Sequence, residues 1–278
     1  METPKDLAKK LSTHVSHVSP VGRKEKGRSF EDVVCKELKE VFPEFTFSPT
    51  PYSGVFKDLQ GDVYSDPHWW PITIECKKIE GWNLLNLFKN PNTGFFANCF
   101  REAVRECVSM TIPWLVFSRN WDKAYACVPA SCVESAWGEN PKFSAEVLFR
   151  VSPSGDPEQQ VSLKIVLLSE VLEFLRRIHD RVFNLDEPTT KLFFREVVQK
   201  GETYTSNRCL SGKLSMSQAI GLNWFFHYEE LSSKVVFDKR TFETRVVVEG
   251  KRSSERAAYF LMLSSSTNVS SPIRRPRS

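Results

Sequence analysis

Three carboxylates and one lysine in the first third of the chain have the types and the spacing for metal-assisted hydrolysis. They are Glu31, then Asp62 in Gly61-Asp62-Val63, then Glu75 and Lys77 in Ile74-Glu75-Cys76-Lys77. Hydrolysing a phosphodiester near neutral pH calls for a hard divalent cation that neutralises the scissile phosphate and lowers the pKa of an attacking water. Oxygen donors suit Mg2+ or Mn2+, and Asp62 and Glu75, with the Cys76 carbonyl between Glu75 and Lys77, supply them. A lysine two residues after the glutamate lies on the same face of a strand, where its ammonium can orient the water and stabilise charge on phosphate. Glu31 would complete the cation shell, directly or through water. A lone Glu-x-Lys on a strand is common by chance, and its ordinary reading is a solvated face. The ordered set, helix then strand then strand, is what separates the two.

The elements that must position these groups follow from periodicity. SFEDVVCKELKEVF places Phe30, Val33, Val34, Leu38 and Val41 at helical spacing, with Ser29 of the type that caps a helix and Glu31 in the first turn. After Pro43 the chain is crowded with turn residues and reads as short strands and loops, with Asp62 entering or leaving a strand. Pro71 to Lys77 alternates, with Ile72, Ile74 and Cys76 on one face and Thr73, Glu75 and Lys77 on the other. A helix is expected over Phe95 to Met110, an apolar strand over Pro113 to Arg119, and a short strand near Tyr125 to Val128.

The order Gly27-Arg28-Ser29-Phe30-Glu31, Ser53-Gly54, Gly61-Asp62-Val63 and Ile74-Glu75-Cys76-Lys77 resembles the archaeal and phage Holliday junction resolvases, within the PD-(D/E)xK nuclease superfamily. The resemblance covers roughly Lys24 to Val128. It implies an α/β fold with a mixed central sheet flanked by helices, the restriction-endonuclease-like core. It further implies a metal-binding catalytic site at Glu31, Asp62, Glu75 and Lys77, with Ser53 near the site on a loop. By the same resemblance the substrate would be branched or structured DNA and the assembly a homodimer. Two departures stand out: Gly61 precedes Asp62 where the motif name has Pro, and Tyr64 to Pro71 form an insertion with two tryptophans. The second half has no counterpart in the small resolvases.

That second half shows strand patterns at Phe143 to Val151 and Val161 to Leu167, a helix pattern at Ser169 to Phe183, further strands at Leu192 to Val198 and Phe242 to Val248, and a helix from Ser215 to about Leu231. The expected organisation is a flexible basic arm over 1–26, a nuclease core over 27–140, an additional α+β region over 141–262, and a disordered Ser/Arg/Pro-rich basic tail over 263–278.

Composition narrows the setting. The 38 Lys and Arg stand against 34 Asp and Glu, a net charge of +4, so bulk charge alone does not bind nucleic acid and local patches must. Lys57, Lys77, Lys78, Lys89, Arg101 and Arg105 are the candidates for a phosphate-tracking surface, against the plain alternative of a solvated face, and the resemblance adds Ser53 to the nucleic-acid contacts. Trp69, Trp70 and Trp82 would either stack on unpaired bases or pack in the core, the commoner fate. Cys76 faces away from Glu75 and is expected to pack rather than react, and the five histidines read as structural or exposed. Seven scattered cysteines without a Cys-x-x-Cys pair argue for free thiols in a reducing compartment and against a disulfide framework or a zinc knuckle. No run approaches the roughly 18 apolar residues of a membrane span, and the amino terminus lacks the apolar core of a signal peptide. The expectation is an intracellular protein, cytoplasmic or nuclear, in a cell or an infected host. Two rivals share this profile. One is another nuclease of the superfamily acting on duplex, single-stranded DNA or RNA; the other is a nucleic-acid-binding module that keeps the fold without cutting.

Overall fold

The computed structural model describes residues 20–51, 61–78, 89, 91–107, 111–119, 123–156, 158–184, 209–210 and 214–248. Its centre is a five-stranded mixed sheet in the order β3-β4-β5-β7-β6, comprising β3 (Ile72–Lys78), β4 (Ile112–Ser118), β5 (Tyr125–Pro129), β6 (Val147–Val151) and β7 (Val161–Leu167). β3 runs parallel to β4 with Glu75 opposite Leu115, and the remaining pairs are antiparallel. A parallel pair needs a crossover, and α2 (Phe95–Glu106) lies between the two strands in the chain to provide it.

The alternation of the strands sorts their side chains to two helical layers. On one face Ile72, Ile74, Cys76, Trp114, Val116, Ala126, Val128 and Val166 join a core with α1 (Pro20–Val41) and α3 (Leu168–Phe183). On the other, Leu115, Phe117, Cys127, Leu163 and Ile165 meet Phe96, Ala97, Cys99, Phe100, Ala103 and Val104 of α2. Phe96 packs edge-on against Phe117 with ring centroids 4.9 Å apart. Glu75 and Lys77 belong to this second face by register, so they point toward α2.

α1 buries Phe30, Val34 and Leu38, one residue per turn, and its stripe continues into Phe42. The helix begins nine residues before the expected cap at Ser29, so part of the segment expected to be an arm is helical. Pro at the first helical position supplies the start, because a missing N–H costs nothing there. The sheet also continues past residue 140: β7 hydrogen-bonds onto β5 and β6 onto β7, and the alternating Val161–Leu167 run presents Leu163 and Ile165 to the same face as Leu115 and Phe117. Residues 1–19, Ser53, Lys57, Trp82, the 192–198 segment and the 263–278 tail lie outside the described residues.

A two-stranded hairpin, β1 (Thr46–Pro49) with β2 (Val63–Asp66), leads into β3. Further on, α4 (Met216–Tyr228) starts at Ser215, whose hydroxyl accepts from the Gln218 amide while the Gln218 side chain caps in return. A small antiparallel sheet follows, in the order β8-β10-β9, from β8 (Cys209–Leu210), β9 (Ser233–Phe237) and β10 (Thr244–Val248).

The two tryptophans of the insertion join these parts. Trp70 is 4% exposed and meets Phe42, Phe45, Phe47 and Trp224. Trp69 stacks on His227 at 4.8 Å, and its carbonyl accepts from Asn223. A buried side chain of this size contributes roughly 1.5–3 kcal/mol or more, which places Trp70 in the core and removes it as a stacking platform for bases. Cys35, Cys76, Cys99, Cys107, Cys127 and Cys132 are buried and form no disulfide. No helix among the described residues is long and apolar enough to cross a membrane.

Candidate active site

β3 is an edge strand, and the chain before it closes part of that edge. The Asp62 amide donates to the Ile74 carbonyl at 2.8 Å, and the Cys76 amide donates to Asp62 Oδ2 at 2.7 Å. The carboxylate thus replaces the next acceptor of a ladder. Gly61 makes this approach possible: its φ is +72°, and a Cβ there would lie 2.7 Å from the Ile74 oxygen. Glycine stands where the motif name has proline because the chain adopts a left-handed conformation against bare backbone.

Glu75 sits one residue along, 3% exposed. Lys77 Nζ donates to Glu75 Oε1 at 2.5 Å and pairs with Glu102 Oε2 of α2 at 3.2 Å. Glu75 Oε2 is buried with no hydrogen-bond partner among the described residues. Burial, then the charge of Asp62, pushes the Glu75 carboxyl up to about 8. Asp62 is raised too, by burial, against the lowering effect of the Cys76 amide. Burial works against the charged form of Lys77, but its bonds to Glu75 and Glu102 prevail and hold its pKa above that of free lysine. Glu31, half-buried on α1, is raised by burial and then by Asp62, so helix and strands bring the expected carboxylates into one electrostatic unit.

Of the expected phosphate contacts, Lys78 follows Lys77 at the end of β3 and is partly exposed. Arg105 is exposed, 3.8 Å from Glu102. Arg101 is turned elsewhere: its guanidinium donates to the carbonyls of Ser152 and Asn92 and to Asn98 Oδ1. It fastens the loop before α2 to the end of β6. Sequence reasoning missed Glu102 and Glu106. One oxygen from each lies within 4.8 Å of the other and of one from Glu75. Their i, i+4 spacing on a helix whose apolar stripe is Cys99, Phe100, Ala103 and Val104 was the available signal.

The donor set fits a hard cation. It is all carboxylate, and Glu75 brings a buried oxygen that nothing in the described chain satisfies.

A mixed sheet between helices, with an aspartate before an edge strand and Glu-x-Lys on it, defines a nuclease of the PD-(D/E)xK class with a restriction-endonuclease-like core. The chain belongs to the family described as "Phage putative PDDEXK endonuclease", which it matches over residues 22–177, more than half its length. The match runs across α1, the whole five-stranded sheet and most of α3. No curated protein and no solved structure matches the chain.

Proposed function

We propose that the chain is a divalent-cation-dependent endodeoxyribonuclease, requiring Mg2+ or Mn2+, that acts on branched or structured DNA in the manner of a Holliday junction resolvase. The observation that carries the chemistry is the convergence on β3 of Asp62, held by the Cys76 amide, with Glu75 and Lys77 bridged at 2.5 Å. Asp62 and Glu75 would hold the cation, with Glu31 as auxiliary ligand. The cation supplies charge neutralisation at the phosphate and an acidified water.

The chain's own part is positional. The Cys76 amide fixes the Asp62 carboxylate, and the aliphatic stem of Lys77 leaves its ammonium at the edge of the cluster, partly exposed, where phosphate arrives. Lys78 and Arg105, and Ser53 and Lys57 outside the described residues, would contact the backbone of the DNA. The preference for branched DNA and a homodimeric assembly rest on the motif order alone, and an intracellular site of action on composition.

The test is cleavage of a labelled four-way junction, a matching duplex, a single strand and an RNA, with Mg2+ or Mn2+, by the native chain and by Glu75→Ala and Lys77→Ala. Junction cutting lost in both variants supports the proposal in full. Cutting confined to another substrate keeps the site and replaces the branched substrate. Binding of DNA without cleavage under any condition overturns catalysis in favour of a binding module.

A further inference from the structure

Beyond residues 22–177, which the family covers, the chain lays a hairpin against the helix that flanks the site. β9 and β10 pair across the turn from Asp238 to Glu243, and the Lys239 ammonium donates to the carbonyl of Arg105 at 3.0 Å. That carbonyl is among the last of α2, where the helix dipole ends negative, so the lysine offsets it. The guanidinium of the same Arg105 lies 3.8 Å from Glu102, and Glu102 pairs with Lys77. Lys77, Glu102, Arg105 and Lys239 adjoin one another in turn, which puts the hairpin at the margin of the carboxylate cluster.

The turn is held firmly. The Asp238 amide donates to the Glu243 carbonyl at 2.9 Å, and the Phe242 amide donates to the Asp238 carbonyl at 2.8 Å. Asp238 Oδ1 accepts from the amides of Arg240 at 2.7 Å and Thr241 at 3.3 Å. Phe242 has a left-handed backbone, with φ at +58°, a conformation that a bulky residue keeps only where its surroundings impose it. Its ring centroid lies 5.0 Å from that of Phe237 and 6.5 Å from that of Phe100 of α2, so packing on α2 helps to impose it. A turn fixed in advance loses little freedom when a ligand binds.

Its charge is one-sided. Residues 233–248 carry Lys234, Lys239, Arg240 and Arg245 against Asp238 and Glu243. Arg240 and Arg245 are exposed and form no ion pair among the described residues. The nearby Asp238 carboxylate is engaged by the turn's own amides. Duplex DNA carries one negative charge per about 1.7 Å of its axis, so a strand cut at Glu75 and Lys77 brings further phosphates past α2. Glu102 and Glu106 of that helix repel them, and the guanidiniums just beyond supply the compensating charge in a fork that fits phosphate.

We infer that the β9–β10 hairpin is a nucleic-acid contact flanking the site, in which Arg240 and Arg245 hold the phosphate backbone of the substrate and Lys239 positions the turn on α2. It rests on the proposed nuclease reading for the identity of its ligand. Phosphate contacts carry no base information, so the hairpin sets affinity and position and not sequence preference.

The experiment is equilibrium binding of the full chain, carrying Glu75→Ala so that the DNA stays whole, to a labelled four-way junction and a matching duplex. Fluorescence anisotropy follows binding from about 50 to 200 mM KCl, with circular dichroism to confirm folding. Arg240→Gln combined with Arg245→Gln is expected to weaken binding to both DNAs by about tenfold and to lower the slope of log affinity against log salt by about two. Arg240→Lys combined with Arg245→Lys keeps the charge and should keep the slope. Unchanged affinity and slope in the glutamine pair overturn the contact. A fall in affinity with an unchanged slope also overturns it and assigns the arginines to the fold. The expected losses, with a native chain that cuts no substrate, keep the contact and remove catalysis. No DNA bound at any salt concentration overturns both.

Discussion

The main-chain amide of Cys76 donates to the carboxylate of Asp62 at 2.7 Å, so the strand that carries Glu75 and Lys77 also holds the aspartate that precedes it. Two parts of the site separated by a turn-rich segment are therefore one rigid object. The residue whose thiol packs into the core contributes through its backbone.

This arrangement depends on Gly61. With φ at +72° and a Cβ only 2.7 Å from the Ile74 oxygen and 2.8 Å from Thr73 Cγ2, an alanine there strains the backbone and pushes the chain off β3. The left-handed conformation alone costs about 1–2 kcal/mol for a residue with a Cβ. Gly61→Ala is expected to lower the free energy of unfolding in urea by about 2 kcal/mol or more and to weaken Mn2+ binding at Asp62. Native-like stability together with native-like cation binding would show that Asp62 is not held in this way.

Lys77 competes with any cation for Glu75 Oε1, which it holds at 2.5 Å. Removing its charge should separate binding from chemistry. Lys77→Met is expected to cut with a rate reduced by about a hundredfold or more. Its affinity for Mg2+, measured by calorimetry at about pH 8.5, should fall by much less than the rate does, because losing the Lys77 ammonium removes a competitor for Glu75 while raising the proton affinity of that carboxylate. A parallel fall in both quantities would assign Lys77 to maintaining the site rather than to the reaction.

The raised Glu75 carboxyl predicts the direction of a pH effect. Its folded pKa of about 8 lies above its ordinary value of 4.5. The stability it contributes is thus fully present below the lower value and lost as pH rises through the upper one. In the presence of a chelator, Glu75→Gln, which cannot ionise, should melt at a higher temperature than the native chain at about pH 9, with the gap closing by about pH 5. Cation affinity of the native chain should rise by about tenfold per pH unit until about pH 8 and then level off, as one proton ceases to compete. A melting difference independent of pH would contradict the burial of this carboxylate.

Much of the local structure was legible in the residues. The alternation of Ile72 to Lys77 put Glu75 and Lys77 on one side and Cys76 on the other, as observed. The strand over Val161 to Leu167 and the helix capped by Ser215 were found where the pattern places them. These features are set by neighbours in the chain: a two-residue period, a four-residue apolar repeat, a hydroxyl that caps the amide three residues on. The start of α1 was missed, because the polar stretch before Ser29 has no apolar stripe to betray a helix, and helix can propagate into such residues once the following turns are packed.

What the sequence by itself determined is the list of reactive types and the face each occupies within its own strand or helix, since those depend on bond geometry and short-range periodicity. Only the tertiary structure decided which of them meet. Packing α2 across the face of β3 brought Glu102 and Glu106 to Glu75 and turned Arg101 toward the end of β6. Folding the Trp69–Trp70 insertion against α4 made the second half part of the same core. Such pairings are chosen by how buried surfaces fit across long stretches of chain, and no period in the residues records that fit.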